Sequence, residues 1–131
     1  MPNPIPYAVL LAALAMPAAQ AADSIGFRQT ELADAGGDRP LHVSIWYPTG
    51  DTGPVAEVGA NLAFVGLPAI TDAKPTGETH PLVVLSHGYG GSWRNLNWLA
   101  GELVQNGYVV AAPDHPGTTT FDRSPRQAAR L

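Results

Sequence analysis

The sequence predicts an α/β fold, a β-hairpin followed by a strand-helix-strand unit, and three observations carry that prediction. A short β-branched run, Pro81-Leu82-Val83-Val84-Leu85, leads into Ser86-His87-Gly88-Tyr89-Gly90-Gly91. Apolar residues then recur at helical spacing at Leu96, Leu99, Ala100, Leu103 and Val104. A second apolar run, Tyr108 to Ala112, follows. Strand, helix and strand over about thirty residues make one βαβ unit, whose crossover is almost always right-handed.

In chain order, residues 1–21 carry no charged side chain, contain the apolar run Tyr7 to Met16 and close on Ala19-Gln20-Ala21. That pattern predicts a signal peptide over 1–21 and a mature domain over 22–131, exported to the periplasm or the outside. About ten apolar residues fall short of the roughly twenty that cross a bilayer, so no stable membrane span is expected after cleavage.

Gly26 to Leu32 and Leu41 to Tyr47 read as two strands of a hairpin, joined across the turn-forming segment 34–40 and ended by Pro48. Leu41, Val43 and Ile45 alternate with His42, Ser44 and Trp46, which sends the aliphatic set to the core and leaves His42 solvated. Trp46-Tyr47-Pro48 suits either a pocket wall or packing. Thr49 to His80 is rich in Gly, Pro, Ala and Thr without a sustained period and reads as a long connection. Within it, Asn61 to Leu67 suits a cover for the sheet edge or part of a lid.

The run Pro81 to Leu85 reads as a strand buried on both faces. It delivers a loop with three glycines among the four residues Gly88 to Gly91, where absent Cβ atoms let the backbone turn sharply and bring N–H groups to an anion. Ser92 is placed to cap the helix and Asn106-Gly107 to stop it. Gly101 inside that helix costs about 1 kcal/mol relative to alanine. Trp93, Arg94 and Asn97 fall near the loop, with Arg94 read as a surface or ion-pair residue. In Pro113-Asp114-His115-Pro116-Gly117 the adjacent Asp and His project to opposite sides, so neither is assigned to catalysis, and Asp114 is expected to take backbone donors. Ser124 and Pro125 suit the start of another helix.

The order strand, His-Gly-x-Gly-Gly, helix, strand, Pro-Asp-His-Pro-Gly resembles the N-terminal half of an α/β-hydrolase. Within that superfamily it is most similar to the secreted branch that is dienelactone-hydrolase-like or platelet-activating-factor-acetylhydrolase-like. The resemblance runs from about Gly26 to Arg126. It implies an ester hydrolase in which the backbone N–H of Tyr89 forms part of the oxyanion hole, Gly88, Gly90 and Gly91 shape it, and His87 buttresses it. It also implies that the Pro81 to Leu85 strand pairs with a later strand bearing the nucleophile, so that its edge is bare here, an aggregation hazard.

Composition closes off several classes. With 131 residues, 45% hydrophobic and 14% charged, and a net charge of −4, the chain is globular and offers nucleic acid no basic surface. Cysteine is absent, which removes disulfides and thiolate chemistry. His42, His80, His87 and His115 match no zinc spacing, and the glycine loop lacks the Lys-Ser/Thr of a phosphate loop, so neither a metal nor a cofactor is expected. None of Ser24, Ser44, Ser86, Ser92 or Ser124 stands in Gly-x-Ser-x-Gly. The expectation is therefore the N-terminal part of an exported carboxylic-ester hydrolase, truncated before the nucleophile elbow and without nucleophile, acid or base of its own. A small exported binding module, or an inactive remnant, is the alternative.

Overall fold

The computed structural model describes residues 24–33 and 40–124. The signal-peptide expectation, the turn over 34–39 and the helix starting at Pro125 lie outside the described residues.

Six strands form one mixed sheet in the order β3-β4-β1-β2-β6-β5. β1 (Ser24–Leu32) and β2 (Leu41–Thr49) are the expected hairpin, antiparallel from Ser24 opposite Thr49 to Leu32 opposite Leu41. Pro48 does not end β2. Past Trp46, β2 has lost its other neighbour, and the chain there asks for the carbonyl of Pro48, which accepts from Thr76 N–H at 3.1 Å. The absent N–H of proline is therefore tolerated at this flank.

The connection from Thr49 to His80 is not structureless. It holds β3 (Ala56–Val58) and β4 (Leu67–Thr71), antiparallel to each other, with β4 parallel to β1. Three residues in β3 and a proline in β4 give no readable alternation, and tertiary pairing with β1 selects these strands instead.

The βαβ unit runs through β5 (Leu82–Val84), a 3-10 turn at Trp93–Leu96, α1 (Asn97–Gln105) and β6 (Val109–Pro113), with β5 and β6 parallel. Ser92 caps as expected, and Asn95 reciprocates to the Ser92 N–H, but the box opens the 3-10 turn that feeds α1. At the other end Gly107, at φ +85°, closes a Schellman motif: Gly107 N–H donates to Val104 O, and Tyr108 N–H to Leu103 O. Tyr108 thus belongs to the cap and not to the strand. Gly101 has a packing reason, since a Cβ there would lie 2.6 Å from a Leu67 methyl.

The main core lies on the α1 side of the sheet, where Trp46 is fully buried with Phe27, Trp93, Ala100, Val104 and Val110. The aromatic position of β2 is thus the principal core position, while Ile45 only packs against a smaller cluster of Tyr47, Ile70 and Ala73. The indole of Trp46 is 5.4 Å from Phe27 and 5.7 Å from Trp93, centroid to centroid, spacings that favour tilted aromatic pairs. β5 lies at the sheet edge, paired only with β6 among the described residues, as the bare edge implied by the resemblance requires, but it departs from the expected burial on both faces: Leu82 and Val84 are each 62% exposed. No helix among the described residues is long and apolar enough to cross a membrane.

Candidate active site

The carboxyl ends of β5 and β6 lie side by side, and the loops that leave them build one cluster. After β5, Gly88-Tyr89-Gly90-Gly91 forms a β-turn, with Gly91 N–H donating to Gly88 O at 2.9 Å. Gly90 sits third in that turn at φ +76°, the conformation of a type II turn and one that suits glycine. The turn is laced to the segment after β6. Gly90 N–H donates to Thr118 O at 2.7 Å, Thr120 N–H donates to Gly91 O at 2.9 Å, and the Thr120 hydroxyl donates to Gly90 O at 2.9 Å.

Three of the N–H groups here are therefore engaged: Gly90 to Thr118 O, Gly91 to Gly88 O, and Ser92 to Asn95 Oδ1. The N–H groups of Gly88 and Tyr89 have no acceptor among the described residues. The Tyr89 ring stands 73% exposed, so it packs against little.

His87 is buried beneath the turn. Its Nε2 accepts from His115 N–H at 3.1 Å and its Nδ1 lies 2.9 Å from Gly88 O. A proton on Nδ1 satisfies both contacts, and that tautomer leaves Nε2 unable to donate to Asp114 Oδ1, 3.6 Å away. Asp114 instead accepts Trp93 N–H at 2.8 Å, the backbone role expected of it. His115 projects the other way and places Nε2 2.7 Å from Ser86 Oγ. Sequence reasoning missed this serine-imidazole contact, because residues 86 and 115 meet only through the parallel pairing of β5 and β6. His42 is solvated beside Glu31, and His80 is tied to Thr76 and Gly107 O, both away from the cluster. Trp93 and Asn97 are buried in the core, whereas Arg94 lines a cavity beside the turn.

Residues 60–124 match the model of the family described as platelet-activating factor acetylhydrolase, isoform II. Among solved structures the chain is similar to a ferulic acid esterase from Streptomyces cinnamoneus, at 32% identity and a TM-score of 0.67. The chain belongs to the α/β-hydrolases, among the platelet-activating-factor-acetylhydrolase-like proteins.

The superposition covers 80% of this chain and 36% of the esterase, so this α/β-hydrolase chain spans little more than a third of that protein's length. What is present corresponds to the N-terminal portion of the fold. The match from residue 60 onward takes in β4, β5, the glycine turn, α1, β6 and the Thr118–Thr120 lacing. No curated protein sequence matches the chain.

Proposed function

We propose that this chain is the N-terminal part of an exported hydrolase of carboxylic esters, acting on a small or lipid-like ester through an acyl-enzyme. The backbone N–H of Tyr89 donates to the oxyanion of the tetrahedral intermediate, and the nucleophile, acid and base are supplied by residues that follow Leu131. Gly88, Gly90 and Gly91 set the turn, and His87 holds it from below. Export rests on the pattern over residues 1–21, and the chemistry requires no metal or cofactor.

One observation carries the reading. In a turn whose Gly90 and Gly91 N–H groups are both engaged, the Tyr89 N–H is left without an acceptor among the described residues at the carboxyl end of β5. Ligands of open α/β sheets bind at that end. A preorganised donor of this kind lowers the barrier by about 3 to 4 kcal/mol once an oxyanion forms.

The test uses protein expressed from its full native reading frame, and its intact mass first establishes the length of the mature chain. Tyr89→Pro deletes the N–H at the second position of the turn, where proline is favoured, and Tyr89→Ala removes only the ring. Short-chain ester hydrolysis should fall in kcat by about 10²- to 10³-fold for the proline variant and far less for alanine. Equal losses in the two variants would remove Tyr89 N–H from the mechanism. A mature mass ending at Leu131, with no labelling by a fluorophosphonate, would leave a non-catalytic binding module.

A further inference from the structure

A cavity of about 340 Å³ opens beside the glycine turn, between the turn at residues 61–64 and the segment that laces Gly90 and Gly91. Its walls include the side chains of Leu62, Phe64 and Phe121, with Ser92 and Arg94 at the base of the helix. Leu62 and Phe121 are among the most exposed large apolar residues of the protein, at 110% and 90%, a placement that costs free energy unless something covers them. In size the cavity lies at the lower end of small-molecule sites, roughly 300 to 1,000 Å³.

Arg94 sets its charge. The guanidinium stacks on Trp93, with Cζ 4.6 Å from the ring centroid, and Nε is buried with no hydrogen-bond partner among the described residues. No carboxylate among the described residues lies within ion-pair distance of it: the carboxylates close to a basic side chain are Asp72 beside Arg28, Glu31 beside His42 and Asp114 beside His87. Asp122, on the same wall as Phe121, already accepts from Gly117 and Ser124 N–H. A second guanidinium, that of Arg123, lies over Gly90, with Nη2 3.1 Å from the position a Cβ there would take. Two cations therefore flank one turn in a chain whose net charge is −4. Arg94 is itself half-buried and lines the cavity, so an anionic group there would take charge-assisted hydrogen bonds from a guanidinium that has no carboxylate partner among the described residues.

We propose that this cavity binds an anionic amphiphile, a carboxylate or phosphate head on Arg94 with an apolar chain against Leu62, Phe64 and Phe121. Its role as a subsite for the charged end of the ester rests on the hydrolase reading above; the binding itself does not. The sequence reading placed Arg94 at the surface or in an ion pair, and the cavity is what reassigns it.

Calorimetric titration of the full-reading-frame protein with octanoate, octyl phosphate and octanamide tests this without turnover. Octanoate or octyl phosphate should bind at least about tenfold more tightly than octanamide, and the tighter of the two identifies the head group. Arg94→Met, which keeps an apolar stem, should remove that preference, and Ala63→Trp, at an exposed wall position, should block all three ligands. Should the methionine variant misfold, the comparison of charged and neutral ligands on the unaltered protein still decides. Equal affinity for octanamide, or saturation unaffected by Ala63→Trp, would overturn the proposal. A protein that hydrolyses no ester yet prefers the anion through Arg94 loses the hydrolase reading and keeps this site.

Discussion

Trp46 and Asn97 are joined in the core: the indole N–H donates to Asn97 Oδ1 at 3.1 Å, and Asn97 Nδ2 donates onward to Val58 O at 2.8 Å. One buried amide thus ties β2, the start of α1 and the end of β3. Asn97→Ala would strand both a donor and an acceptor away from water, each at a cost of about 1 to 3 kcal/mol. We expect a loss of about 2 to 5 kcal/mol in urea unfolding of the full-reading-frame protein, with the slope unchanged. A shift in midpoint worth less than about 0.5 kcal/mol would show that water reaches these groups.

Tyr47 lies across the hairpin from Gly26, and its ring covers the glycine so closely that a Cβ there would overlap ring carbons. The ring cannot swing aside, because its hydroxyl donates to Ala73 O at 2.7 Å and the residue is buried. Gly26→Ala should therefore destabilise by about 1 to 3 kcal/mol, as overpacking does. Adding Tyr47→Phe, which frees the ring from Ala73, should recover part of that loss, and strict additivity of the two would argue against the contact.

The same tyrosine predicts an alkaline limit. Burial raises the Tyr47 pKa above its usual value near 10, with the Arg28 charge opposing and Asp72 and Asp51 adding to the rise. The folded state then favours the neutral phenol, so its contribution is fully present below the unfolded pKa and is lost as pH rises through the folded one. Stability should fall across that window above about pH 10, and less steeply in Tyr47→Phe. Parallel profiles for the two proteins would assign the alkaline loss to other groups.

The hairpin, the capped helix and the glycine turn were legible because each rests on local chemistry: alternation in β1 and β2, the Ser92 cap, the Asn106-Gly107 stop. β3 and β4 were not, since their short segments acquire strand identity only from pairing with β1 and each other. The site divides the same way. The turn at Gly88 to Gly91 could be read from its glycines, whereas its lacing to Thr118 and Thr120, the Ser86 contact with His115 and the cavity on Arg94 all join residues brought together by the fold. The core face of β2 was misassigned because alternation sends the aliphatic set Leu41, Val43 and Ile45 inward, whereas Trp46 is the fully buried residue, its N–H satisfied by Asn97, distant in sequence.

Leu82 and Val84 share the open face of β5, whose outer edge has no partner among the described residues. A strand that is short, apolar and unpaired on one side is a template for pairing with another copy. In the 131-residue chain, Val84→Lys should raise the soluble, monomeric fraction after refolding, measured by light scattering against the unaltered chain. A matched substitution at exposed Val55, away from this edge, should do little. Equal gains at the two positions would point to general charge and not to the edge.

Ser86 and His115 meet at 2.7 Å, the spacing of a nucleophile and its base, yet the pair is incomplete. In a triad a third group orients the base through its other ring nitrogen, and His115 Nδ1 has no such partner among the described residues, since Asp114 faces Trp93. The contact is better suited to fixing the carboxyl ends of β5 and β6 against each other under the glycine turn. Ser86→Ala in the full-reading-frame protein should therefore keep fluorophosphonate labelling and lose no more than about tenfold in kcat, well short of the roughly 10⁶-fold that follows loss of a nucleophile. Mapping the label by peptide mass places it. If the label sits on Ser86, or vanishes in the alanine variant, the nucleophile is within this chain, and the assignment of that role to residues after Leu131 falls.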